Sequence, residues 1–203
     1  MLLKGLLFGF VLAAIVGPMW VLCFRRTIEQ GVAAGAASGL GIAVADAIYG
    51  AVAAFGLTAV SGFLFAHSFW IGLAGVVFLG WLGVRALVAP PADLATTSNG
   101  LASRSLGAAF ASTLTLTLAN PPTILAFTAM FAGLGLAAGA SYQSAALIVA
   151  GVFAGSAAWW LILVCGAAAL RARVTARVLR AINVLSGVTI LGFAIWQLAV
   201  LLR

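Results

Sequence analysis

The sequence predicts an all-α integral membrane protein, with six transmembrane helices arranged as two inverted three-helix repeats. Three observations carry that prediction. Hydrophobic residues make up 65% of the 203 positions and charged residues 6%, far from the roughly one-half apolar and one-quarter charged make-up of soluble domains. The apolar residues also fall in long unbroken runs, which lack the alternation of a membrane β-barrel and suit helices that pair every backbone group within their own segment. Finally, a polar stretch at 90–107 divides the runs three and three, which invites a search for an internal repeat.

The first run, near 6–24, follows Lys4 and could pass for a signal peptide. It continues through Trp20 to Phe24 without a small-x-small cleavage site, so it reads as an uncleaved span. Gly17-Pro18 interrupts it, and Arg25, Arg26 and Glu29 then form a short charged turn. The second run, near 31–60, carries Gly31, Gly35, Gly39 and Gly41, a small-residue face suited to close helix packing, followed by Asp46 and Tyr49. His67 falls in the short loop before the third run, near 69–89, and reads as a surface histidine.

Pro, Ser, Thr, Asn and Gly mark 90–107 as a flexible connector. The domain organisation is therefore a first repeat at 1–89, a linker at 90–107 and a second repeat at 108–203. A fourth run, near 108–131, is interrupted by Asn120-Pro121-Pro122. The fifth, near 144–170, carries Ser156, and the sixth lies near 181–202. Each is close to the ~20 residues a bilayer-crossing helix needs, and the second and fifth are long enough to tilt.

The net charge of +7 suggests a nucleic-acid surface until the basic residues are placed. They lie between apolar runs, where they anchor and orient a membrane protein instead. Arg25, Arg26, Arg85, Arg104, Arg171, Arg173, Arg177 and Arg180 fall on one side of the six-span topology, and Lys4 and Arg203 on the other. The positive-inside rule puts both termini outside and the central loop in the cytoplasm.

The repeat is legible in register. Gly75-Val-Val-Phe-Leu-Gly-Trp81 matches Gly187-Val-Thr-Ile-Leu-Gly-Phe193, and Gly41, Asp46 and Tyr49 fall against Gly151, Ser156 and Trp159. The breaks at Gly17-Pro18 and Asn120-Pro121 also correspond. Three spans per half reverse the membrane sense of the second half, and paired breaks in inverted repeats point to a transporter site near the bilayer midplane.

Asp46 is the one acidic residue inside an apolar run, and an intramembrane carboxylate needs water, a proton or a counter-charge. It is either a substrate and proton site or a buried hydrogen-bonder. Proline removes a donor and leaves carbonyls free near Ala13, Ala14 and Leu116 to Leu118, while each half-helix turns a positive N-terminal end toward its gap. Asn120 adds an amide that donates and accepts. Tyr49 follows Asp46 by one turn on the same face. The candidate substrate and proton site is thus Asp46, Tyr49, Asn120 and Ser156, with Gly17, Pro18, Pro121 and Pro122 lining it. The tryptophans Trp20, Trp70, Trp81, Trp159, Trp160 and Trp196 read as interface anchors or packing.

The stretch from Gly17 to Tyr49 resembles the signature of the LysE/RhtB family of bacterial amino-acid exporters. Gly17, Pro18, Arg25 or Arg26, Gly31, Gly35, Gly41, Asp46 and Tyr49 stand in register, and Asn120-Pro121 resembles the family's second signature. Met19 replaces a frequent polar residue after Gly-Pro, and Pro122 a frequent lysine after Asn-Pro; both changes bear on substrate identity. The resemblance implies a secondary transporter in the bacterial cytoplasmic membrane that exports amino acids or related metabolites, driven by the proton motive force. Its partners would be a small-molecule substrate, protons and the lipid bilayer, with a homodimer left open and no nucleic acid.

No P-loop supports ATP drive, and no enzyme, cofactor or metal motif is legible. Two alternatives rest on Cys23 and Cys165: a cadmium-type metal exporter using Asp46 with thiolate, and a membrane thiol-disulfide carrier. Neither cysteine adjoins a proline break, which counts against both.

Overall fold

The computed structural model describes residues 1–15, 17–55, 67–88, 102–120, 123, 127, 142–171 and 174–202; among these the chain is all-helical, with no strand. Its long helices are α1 (Leu2–Ala13), α2 (Pro18–Gln30), α3 (Val32–Ala54), α4 (Ser68–Val88), α5 (Ala102–Leu118), α6 (Tyr142–Arg171) and α7 (Ala176–Leu201). Val32–Ala54, Tyr142–Arg171 and Arg177–Leu201 are each long and apolar enough to cross a membrane, and α1 with α2 would make a fourth span bent by 79°. Gly72–Val88 and Leu106–Leu118 are shorter apolar helices.

The bend follows from two residues. Gly17 is extended, with φ −155° and ψ −172°, and Pro18 occupies the first position of α2, where its missing N–H and fixed φ start a helix but cannot continue one. α2 then runs on to Gln30, which corrects the expectation of a charged turn at Arg25, Arg26 and Glu29. All of these are helical and buried. Arg25 Nε stands 3.3 Å from Glu29 Oε2, one turn along the helix. Arg26 donates from Nη1 to Ser38 Oγ and the Ala109 carbonyl, both at 3.0 Å, and from Nη2 to Ser112 Oγ at 2.8 Å. The guanidinium fork, always charged and rich in donors, thereby ties α2 to α3 and α5.

Packing is governed by small residues. α1 lies along α6, α3 lies between α6 and α5, and α4 pairs with α7. Gly5 and Gly9 of α1 meet the backbone of α6 at Ile148 and Val152, while Gly151 and Gly155 of α6 meet α1 at Leu2 and Leu6. Glycines four residues apart on both partners let the two backbones touch, the association mode of helices that gain nothing from hydrophobic exclusion in lipid. On α3 the expected glycine face is present: Gly35 fits against Thr27 and Val164, Gly39 against Trp160, and Gly41 against the Phe110 carbonyl and Thr113.

Two boundaries differ from the sequence expectation. α5 begins at Ala102, inside the stretch expected as linker, because Ala102 to Leu118 contains no helix breaker other than Gly107. α3 ends at Ala54 with Phe55 capping it, and the remainder of the second apolar run lies outside the described residues, as do most of the linker, Pro121 and Pro122.

Candidate functional site

A cavity of about 250 Å³ opens at the α1–α2 break, lined by residues that include Gly17, Pro18, Asp46, Thr117, Asn120 and Trp160. One end is the break itself. The N-terminus of α2, with Gly17 as N-cap and no side-chain cap, turns the uncapped first-turn donors and the positive helix end toward this space. Asp46, from the middle of α3, lines the same cavity and is 4% exposed. Ser156 Oγ donates to Asp46 Oδ2 at 2.7 Å. Among the described residues no basic side chain lies within ion-pair distance of Asp46, so its charge, when present, is balanced by that hydroxyl and by whatever enters the cavity.

The end of α5 supplies the third wall. The Ala119 and Asn120 N–H groups close the helix by donating to the Thr115 and Thr117 carbonyls, and the Thr123 N–H returns to the Asn120 carbonyl at 3.0 Å. Asn120 Nδ2 donates to Thr123 Oγ1, also at 3.0 Å, so the amide first organises its own break and keeps its carbonyl oxygen as the remaining side-chain acceptor.

Of the sequence-predicted residues, Asp46, Asn120, Gly17 and Pro18 line one cavity, and Ser156 stands directly behind Asp46. Tyr49 does not line it. Its hydroxyl donates to the Leu118 carbonyl, and its ring stacks on Phe127 with centroids 5.8 Å apart. The carbonyls expected to be free at Leu116 to Leu118 are therefore partly used: Leu118 by Tyr49, and Thr117 by the Asn120 N–H at 3.2 Å. Tyr49 is a cap for the broken helix, satisfying a carbonyl that has lost its intrahelical partner.

The lining side chains that the sequence reading did not place at the site include Thr117, Trp160, Phe193 and Trp196. Two had a usable signal. Trp160 follows Ser156 by four residues and so shares its face of α6, and Thr117 stands three residues before Asn120 on α5. Cys23 is buried, its Sγ against the Gly35 carbonyl at 3.5 Å, whereas Cys165 is exposed. Neither lines the cavity, and among the described residues no group of three or more His, Cys, Asp or Glu could hold a metal ion.

Long apolar helices, a span broken at Gly-Pro and a buried carboxylate facing a small cavity define a multi-pass helical membrane protein of the transporter class. The LysE type translocator family model matches residues 10–200, and the chain belongs to that family. No curated protein and no solved structure matches it. Family membership makes it a membrane protein that transports small molecules, consistent with the resemblance carried by Gly17 to Tyr49 and by Asn120-Pro121.

Proposed function

We propose that the chain exports amino acids or related small metabolites across the bacterial cytoplasmic membrane in exchange for protons. The observation that carries this reading is the meeting of Asp46, the α2 N-terminus and Asn120 around one cavity. Asp46 binds a proton from outside and the ammonium group of substrate from inside, while the α2 end offers N–H donors to the substrate carboxylate. Two ligands competing for one carboxylate is the simplest form of obligatory exchange.

Alternating access follows from six spans in two inverted halves, 1–89 and 108–203, joined by the cytoplasmic linker 90–107 with both termini outside. The helix pairings support this arrangement. Exchanging the halves converts the α1–α6 pair into the α5–α3 pair and returns α3–α6 and α4–α7 to themselves. Gly41 and Gly151, matched in the sequence repeat, both sit at backbone contacts of the exchangeable pairs. Asp46 and Ser156, also matched, bond to each other, as residues beside a pseudo-two-fold axis do. Rocking one half against the other would then open the same cavity to either side.

The test uses purified protein in proteoliposomes loaded with single amino acids or divalent metal ions, under an imposed pH gradient. Gradient-driven loss of an amino acid, with no metal efflux, is the expected result. Efflux that ignores the gradient removes proton exchange, and metal efflux replaces the substrate class.

A further inference from the structure

Resting on the exporter reading, the cavity also carries information about which substrate it takes. Part of its hydrogen-bonding capacity is already engaged: Asn120 with Thr123, and Asp46 with Ser156. Among the described residues, Thr117 Oγ1 and Trp160 Nε1 have no partner, although the residues are only 2% and 4% exposed. Both residues line the cavity. A buried polar atom without a partner is rare enough to require an explanation, and a ligand that completes it is the direct one.

The rest of the wall is chemically one-sided. Among the described lining residues Asp46 is the single ionisable one, while Trp160, Phe193, Trp196, Leu12, Ile15 and Ile42 give the wall a broad apolar and aromatic surface. No basic side chain is among the described lining residues, so a second acidic group on the substrate would meet no counter-charge from them. Nor do those residues include a second carboxylate to receive a basic side chain such as that of lysine. The volume, about 250 Å³, lies just under the roughly 300–1,000 Å³ of drug-sized sites and suits a single small metabolite.

We propose that Thr117 and Trp160 are substrate-contacting residues that hydrogen-bond the polar head of an amino acid held at Asp46, and that Trp160, Phe193 and Trp196 select a bulky apolar side chain. Thr117 offers a donor and an acceptor and Trp160 a donor only, so between them they complement a carboxylate or an amide-like head. The aromatic faces receive the side chain, where area removed from water, and not charge, sets the preference.

The experiment measures binding of L-phenylalanine, L-leucine, glycine and L-lysine to the purified protein in lipid nanodiscs, with gradient-driven efflux of the same probes recorded in parallel. Wild type should bind L-phenylalanine and L-leucine at least about tenfold more tightly than glycine or L-lysine. Thr117→Val should weaken L-phenylalanine binding by about tenfold. Its ligand-free melting temperature should hold or rise, because a methyl group replaces an unpaired hydroxyl. Trp160→Phe, which keeps a ring and removes the N–H, should weaken binding likewise, and Phe193→Ala should narrow the preference for L-phenylalanine over glycine. Wild-type affinity in Thr117→Val and Trp160→Phe would assign the two polar atoms to bound water and overturn the proposal. So would efflux of glycine or L-lysine in preference to L-phenylalanine and L-leucine, an outcome that leaves the exporter reading standing. If no probe binds or leaves under the gradient, both readings fall together.

Discussion

Ser156 Oγ donates to Asp46 Oδ2 at 2.7 Å, joining α6 to α3 at residues that are 0% and 4% exposed. A hydroxyl is suited to this place because it can donate to a carboxylate and, by rotating, accept from a carboxylic acid. Asp46 can therefore gain or lose a proton without leaving a buried partner unsatisfied. A second ionised carboxylate behind Asp46, which can only accept, would not serve both states.

Ser156→Ala should slow gradient-driven export by about tenfold, because a hydrogen bond to a charged group contributes roughly 1.5–3 kcal/mol. Initial rates in proteoliposomes, normalised to inserted protein, measure it. Ser156→Thr should recover most of the loss, since the hydroxyl is retained. An alanine variant with wild-type rates would make the contact a packing detail.

Tyr49→Phe should lower stability more than activity. The Tyr49 hydroxyl is the side-chain partner of the Leu118 carbonyl at the end of α5, and leaving a buried acceptor unpaired costs about 1–3 kcal/mol. A lower melting temperature in detergent, with substrate affinity held within about threefold, is the expected result. A selective loss of affinity at unchanged melting temperature would return Tyr49 to the substrate site.

How much of this could be read from the sequence depends on whether a residue's role is set by its own run or by a neighbouring helix. Asp46 and the Gly17-Pro18 break were legible because a lone acid and a proline are anomalous inside an apolar run, whatever packs around them. Gly35 and Gly39 were legible as a packing face for the same reason of spacing. Arg25, Arg26 and Glu29 misled, since charges at the end of an apolar run usually mark an interface. Here Ser38, Ala109 and Ser112 bring partners to Arg26 from distant positions, and the helix continues through it. Tyr49 shares a face with Asp46, yet the 69 residues separating it from Leu118 hide the partner it serves. Thr117 and Trp160 are ordinary residues of apolar helices until a cavity appears beside them.

Pro18→Ala should reduce transport by tenfold or more while insertion persists. Alanine supplies an N–H for the carbonyl of Ala14 and favours continuity of α1 into α2, worth about 3 kcal/mol of helix propensity at an interior position. Straightening would withdraw the α2 N-terminus from the cavity it lines. Flux assays on equal amounts of membrane-integrated protein decide the matter; undiminished flux would reduce the break to a packing kink.

Topology can be tested at Ser98, within the linker expected in the cytoplasm. With Cys23 and Cys165 replaced by serine, a Ser98→Cys variant should react with a membrane-impermeant maleimide only when the cytoplasmic face is accessible. The serine replacements should leave transport intact, because neither cysteine lines the cavity. Labelling from outside would invert the proposed cycle, and transport lost on removing the thiols would revive the metal and thiol-disulfide alternatives.

Asp46→Asn is the decisive substitution. Asparagine keeps the size of the side chain and can still accept from Ser156 Oγ, but it cannot bind and release a proton. Removing an ionisable group from a buried position also removes the cost of charging it there, so the variant should insert and fold at least as well as wild type. Export against a substrate gradient should disappear, a loss of at least about a hundredfold, given that an ammonium group would exchange a charge-assisted bond for a neutral one. Residual substrate movement should be insensitive to pH, since the group that couples it to protons is gone. A purely structural aspartate would give a different pattern: normal pH-driven export from the asparagine variant, or failure to assemble through the lost contact between α3 and α6. Rates measured across a pH series on equal amounts of folded protein separate these outcomes, and wild-type rates with wild-type pH dependence would end the case for Asp46 as the exchange site.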